Sequence, residues 1–168
     1  MSRGFVREDD QEEAPFIPPR APLPDGVTNY VTSRGMALLM EERKSLEAER
    51  STVQRSDEVA RRHELAVING KLDLLNERIG SARIVEPGDA PPDDVRFGTT
   101  VTFKFLSGPQ QGAVRTFTLV GVDEASVAEQ RIAFTAPIAR ALLGTRAGDV
   151  APFHLGAATQ QLEVLSIA

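Results

Sequence analysis

Asp57 and Glu58 are adjacent carboxylates lying between two segments of regular apolar spacing, and they are the residues with the clearest chemical potential in the chain. At the end of a protruding rod, such a pair can share a hard cation such as magnesium with another protein's site, because magnesium commonly takes only one or two carboxylates from any one partner. The same two residues also fit an ordinary acidic first turn, with Ser56 as N-cap and the carboxylates facing the helix dipole. Both readings stand at the level of sequence. Other chemistry is sparse. There is no cysteine, which removes thiolate metal sites and disulfides and fits a reducing compartment such as the cytoplasm. His63 and His154 are isolated, no HExxH is present, and the turn from Gly108 to Gly112 lacks the lysine of a phosphate-binding loop. No catalytic residue, resident metal or cofactor is expected; the only ion in view is a magnesium shared at the tip.

The elements that must position Asp57 and Glu58 are two helices. Leu65, Ile68, Leu72, Leu75, Ile79 and Ala82 fall at alternating steps of three and four, the spacing of a coiled-coil seam. Met36 to Val53 reads as the partner helix, with Leu39, Leu46 and Val53 at heptad spacing. Thr32 or Ser33 can cap it, and Tyr30 and Val31 are expected to pack on its first turn. Arg43, Arg50, Glu42 and Glu49 stand where a seam prefers aliphatic side chains, so the hairpin should depend partly on its neighbouring domain. Residues 36–82 therefore read as an antiparallel helical hairpin with its tip near Ser56.

The rest of the chain divides around this hairpin. Residues 1–27 combine an acidic run with Pro15, Pro18, Pro19, Pro22 and Pro24, which predicts a disordered or extended tail. Phe5, Phe16 and Ile17 within it leave open a docking peptide as an alternative to a solubilising tail. Residues 28–85 hold the hairpin, and 86–94, rich in Pro, Gly and Asp, form the linker. Residues 95–168 read as β-rich, with alternation through Val101, Phe103 and Phe105, again through Phe117 and Leu119, and a short strand from Ile132 to Phe134. Pro137 suits the first position of a short helix from Ile138 to Leu143. Val150 to His154 and Gln160 to Ile167 supply two more strands. The class is α+β: a helical hairpin followed by about five antiparallel strands with one short helix. The net charge of -5 argues against a general nucleic-acid binder and for a protein partner. No apolar run is long enough to span a membrane.

The order of parts resembles the Gre transcription elongation factor family. The resemblance is carried by Thr32 to Gly35 (TxxG), by Ile79-Gly80-Ser81-Ala82-Arg83-Ile84-Val85 and by Val95 to Val101. It continues through Leu119-Val120-Gly121-Val122-Asp123-Glu124 and through Ala136 to Gly144 followed by Arg146-Ala147-Gly148-Asp149, which is similar to the family's SPIARALLGK, valine, GD stretch. It covers roughly residues 28–168. It implies an FKBP-like C-terminal domain that docks on bacterial RNA polymerase at the secondary channel, with the coiled coil reaching toward the catalytic magnesium and acidic tip residues supporting the polymerase's own cleavage of backtracked RNA. The factor would be an auxiliary, not an enzyme, working as a cytoplasmic monomer that meets nucleic acid only through the elongation complex. By position, Ala136, Pro137 and Arg140 would belong to the docking surface. Because Pro137, Ile138 and Leu142 also suit a core-facing helix start, Arg140 and the adjoining loop are the better docking candidates.

Two departures from the family pattern bear on mechanism. The family tip, roughly GDLSENAEY, has no counterpart, and ungapped alignment back from Ile68-Asn69-Gly70 puts Ser51 and Gln54 at the acidic positions. Arms of about 20 residues reach only about 30 Å, about 15 Å less than family arms of about 30 residues. A regulator of nucleoside diphosphate kinase type, which shares the C-terminal domain and has a shortened hairpin, is the alternative reading. A prolyl isomerase is the weaker third, because the C-terminal domain lacks the Trp and Tyr of an aromatic cup.

Overall fold

The computed structural model describes residues 13–54 and 57–168. Helix α1 spans Ser33–Thr52 and α2 spans Glu58–Ser81. Helix α1 starts three residues before the apolar pattern does, because Thr32 takes the N-cap position and its hydroxyl accepts from Gly35 N at 2.9 Å. At α2 the cap is Asp57, whose carboxylate accepts from Val59 N at 3.0 Å, so Asp57 lies just outside the first turn rather than in it. The expected cap, Ser56, lies outside the described residues.

The hairpin buries Leu39 and Leu46 of α1 against Ile68, Leu72 and Leu75 of α2, flanked by Met36, Val53, Ile79 and Ala82. Arg43 lies half-buried along this seam, whereas Glu42, Glu49 and Arg50 are solvated. Two aliphatic side chains of α1 and three of α2 are buried in this seam.

The feet of the hairpin are tied by a small parallel ribbon, β1 (Tyr30–Val31) against β2 (Arg83–Ile84), with Arg83 N donating to Asn29 O and Val85 N to Val31 O, both at 2.8 Å. The buried Asn29 side chain adds donations to Arg78 O at 3.0 Å and to Ser81 Oγ at 3.1 Å. Val31 joins the hairpin core as expected. Tyr30 does not. Alternation along the ribbon turns it the other way, onto Phe97 and Phe134 with ring centroids 5.8 and 5.7 Å distant, which joins the hairpin to the following domain.

That domain is a five-stranded sheet of β3 (Thr100–Phe105), β4 (Val114–Val120), β5 (Arg131–Ala133), β6 (Val150–Leu155) and β7 (Ala158–Ile167), in the spatial order β5-β4-β3-β7-β6. Three of its pairings are antiparallel, but β4 and β5 run parallel, Thr118 opposite Arg131. This corrects the all-antiparallel expectation. Residues 121–130 carry the chain back through a 3₁₀ turn, Val127–Glu129, and Gln130 at φ 56 then redirects it into β5. Strand β3 begins at Thr100 instead of Val95, because Thr99 Oγ1 closes a turn on Arg96 and Gly98 adopts φ 85. Phe103, Leu119, Leu162 and Val164 from the sheet meet Ala139 and Leu142 of α3 (Pro137–Leu142) in the core.

Residues 13–27 form no helix or strand; 13–23 run along the hairpin, and a turn at 25–26 leads toward β1. No helix of the described residues is long and apolar enough to cross a membrane.

Candidate functional site

The tip places Asp57 and Glu58 together at the start of α2, both exposed. Each is engaged locally. One Asp57 oxygen serves the cap, and both Glu58 oxygens accept from Arg61, each at 3.1 Å. Hydrogen bonding from Arg61, then its charge, with a smaller contribution from Arg62, holds the Glu58 carboxyl below the ordinary glutamate range. Among the described residues no group of three or more His, Cys, Asp or Glu side chains converges to hold a metal ion. The donor set fits, at most, one or two carboxylates offered to an ion held by another protein. His63 lines the same end of the hairpin beside Asp57 and Glu49, and His154 lies remote from it on β6, where its ring meets Thr159 Oγ1 at 2.9 Å.

The second group of candidates lies on the C-terminal domain. Ala136 is the residue before α3 and is half-buried against the core, so it supports the helix more than it offers a surface. Pro137 is the first helical residue and is exposed, contrary to the core-facing expectation: at the first turn its ring points away from the sheet, and Ala139 and Leu142 fill the interior. Arg140 is exposed one turn on, and Leu143 is 37% exposed beside it. Pro137, Arg140 and Leu143 thus form an open basic and apolar edge.

Between tip and edge lies a buried junction that the sequence reading did not single out. Glu124, after β4, accepts from Thr32 Oγ1 at 2.5 Å, from Arg131 at 2.8 Å and from Arg34 at 3.3 Å, with its own side chain 1% exposed. Arg34 also pairs with Glu129 at 2.9 Å, the larger of the two influences that raise its already high pKa. A β-carbon at Gly35 would stand 2.8 Å from Glu124 Oε2, so the glycine of the TxxG stretch makes room for this carboxylate. The signal was present: Thr32 to Gly35 and Asp123-Glu124 both belong to the stretches that carry the family resemblance, and the structure brings them together.

The sequence pattern of the family described as "Transcription elongation factor, GreA/GreB, C-term" matches residues 90–168. A protein named Transcription elongation factor GreA from Methylococcus capsulatus is 35% identical over 109 residues, covering 64% of this chain and 67% of that protein. Another of that name from Hyphomonas neptunium is 30% identical over 152 residues, 82% of this chain and 95% of that protein. A crystal structure of GreA factor homolog 1 of Thermus thermophilus aligns over 84% of this chain and 99% of its own at 23% identity, with a TM-score of 0.37. These likenesses give no support to the nucleoside diphosphate kinase regulator alternative. From the sequence matches, the chain belongs to the GreA/GreB family of transcription elongation factors.

Proposed function

We propose that this factor binds RNA polymerase through its C-terminal domain at the secondary channel, inserts its short hairpin, and changes the rate at which the polymerase cleaves backtracked RNA. The observation that carries this reading is a rod with two carboxylates at its far end, rooted by a buried junction in a domain of the GreA/GreB family. The chain is an auxiliary acting on another enzyme's site as a monomer in the cytoplasm. Pro137 and Arg140 are the docking contacts, and Ala136 shapes the helix start beneath them. Any magnesium is the polymerase's own, with Asp57 and Glu58 the residues that would face it.

Reach sets the sign of the effect. Helices of 20 and 24 residues are about 30 and 36 Å long, short of the arms of about 45 Å that 30 residues would give. The shortfall of about 9–15 Å exceeds any hydrogen-bond or metal-ligand distance. The hairpin therefore fills the channel without bringing its carboxylates to the metal.

The test is cleavage by backtracked elongation complexes at fixed magnesium, with and without saturating protein. Slower cleavage is expected. Faster cleavage that disappears in the Asp57→Ala, Glu58→Ala double variant would mean that docking is deep enough to deliver the carboxylates. No change at saturation would remove the polymerase as target. Binding itself should survive the double variant and be lost on deletion of residues 95–168.

A further inference from the structure

Residues 16–23 occupy a surface of the hairpin and the C-terminal domain at once. Ile17 lies over Gly70 in the middle of α2; a β-carbon there would fall 2.0 Å from its Cδ1 and 2.8 Å from its Cγ1. Arg78 Nη2 donates to Ala21 O at 2.5 Å, holding the segment to the lower half of the same helix. Arg20, between these two contacts, donates to both oxygens of Glu42 on α1 at 2.8 and 3.0 Å and to Asp123 Oδ1 at 2.8 and 3.1 Å. Asp123 belongs to the C-terminal domain, and its other oxygen lies 3.2 Å from Arg78 Nε. One guanidinium therefore joins the tail, the first helix and the following domain. Its side chain is 17% exposed and that of Asp123 is 8%, so the joint is shielded from solvent.

We infer that residues 16–23 are a strap that braces the hairpin at a set angle on the C-terminal domain, with Arg20 as its pin. The Tyr30 cluster, the Glu124 junction and the Arg78–Asp123 ion pair lie toward the foot of the rod. Contacts gathered at one end act as a hinge. The strap instead engages the rod well above the foot: Glu42 is nine residues beyond Ser33 and Gly70 eleven before Ser81, about 14 and 16 Å along the helices. A rotation of about 10° at the hinge of a rod about 30 Å long carries its end about 5 Å, so a brace at mid-height governs where the tip lies. The flat fork of arginine is suited to this task, since it can bind two carboxylates together where a lysine ammonium would act as a point charge. This inference is independent of the polymerase reading and is tested without it.

The chain has no cysteine, so Ser51→Cys near the tip and Leu155→Cys on the C-terminal domain, both exposed positions, allow two spin labels to be placed uniquely. The distance distribution between them is compared in the otherwise unaltered full chain, in Arg20→Ala and in Gly70→Ala. The second variant evicts Ile17 while improving helix propensity, so a change in it cannot be assigned to loss of α2. Far-UV circular dichroism monitors helix content in parallel. The strap predicts a narrow distribution that becomes at least about twofold wider in both variants at undiminished helix content. An unchanged width in both overturns the inference.

Discussion

Replacing Glu124 with alanine tests whether the buried junction holds the hairpin to its domain. The carboxylate accepts three hydrogen bonds and is almost fully enclosed. Breaking a buried pair by removing one member typically costs about 3–5 kcal/mol, because the remaining charge stays desolvated. Here the partners are partly solvated: Arg131 is 27% exposed and Arg34 43%, so Arg34 contributes little and the lower end applies, about 3 kcal/mol. With a urea dependence of about 2 kcal/mol per molar, the unfolding midpoint should fall by about 1.5 M. The assay is built into the molecule. Tyr30 is the sole tyrosine, there is no tryptophan, and its ring packs on Phe97 and Phe134 two residues before Thr32, so intrinsic fluorescence follows the contact between hairpin and domain beside this junction. Glu124→Gln, which keeps shape and an acceptor, should lose about half as much. A Tyr30 midpoint that moves by less than about 0.3 M in Glu124→Ala would refute the claim that this carboxylate holds the junction.

Three further outcomes are expected. Asp57→Ala removes the α2 cap and should lower stability by about 1 kcal/mol, read by thermal melting of the helical signal, with polymerase affinity unchanged. The depressed pKa of Glu58 means that its pairing with Arg61 stabilises the fold above the unfolded glutamate value and is lost as pH falls through the lower, folded value; carboxyl NMR should show that low titration, and Arg61→Ala should return it toward the ordinary range. Inserting one heptad into each arm lengthens the rod by about 10 Å and should convert slowed cleavage into stimulated cleavage that depends on Asp57 and Glu58; slowing that persists would show that reach is not what limits this factor.

The legible parts were those written in local periodicity. Three-and-four spacing from Leu65 to Ala82 predicts the hairpin and its buried face, and alternation through Val101, Phe103 and Phe105 predicts a half-buried strand. Pro137 predicts the start of α3 because a missing N–H costs nothing there. What escaped has no period. The β1–β2 ribbon has two residues on each side, too few to alternate, and its pairing spans the whole hairpin. The parallel run of β5 follows from the path of residues 121–130, whereas alternation is the same in either direction. Tyr30 faces Phe97 and Phe134 only because the ribbon sets its side. Glu124 reads as one more surface acid until the fold brings Thr32, Arg34 and Arg131 around it.

The two ends of the rod show opposite electrostatic designs. At the foot, Glu124 and Asp123 are enclosed and each meets two arginines, so their charges are fixed partners that water and salt screen weakly. At the tip, the Glu58–Arg61 pair is 64% and 42% exposed, and a pair so solvated is easily exchanged for a stronger cation. Local engagement of Glu58 is therefore no obstacle to its meeting a metal ion. On the proposed polymerase reading, what separates this tip from a catalytic metal is distance and direction: distance follows from the helix lengths, and direction from whatever holds the rod at its foot and along its side. A change in the arms should thus alter the outcome at the polymerase more than a change in the tip acids.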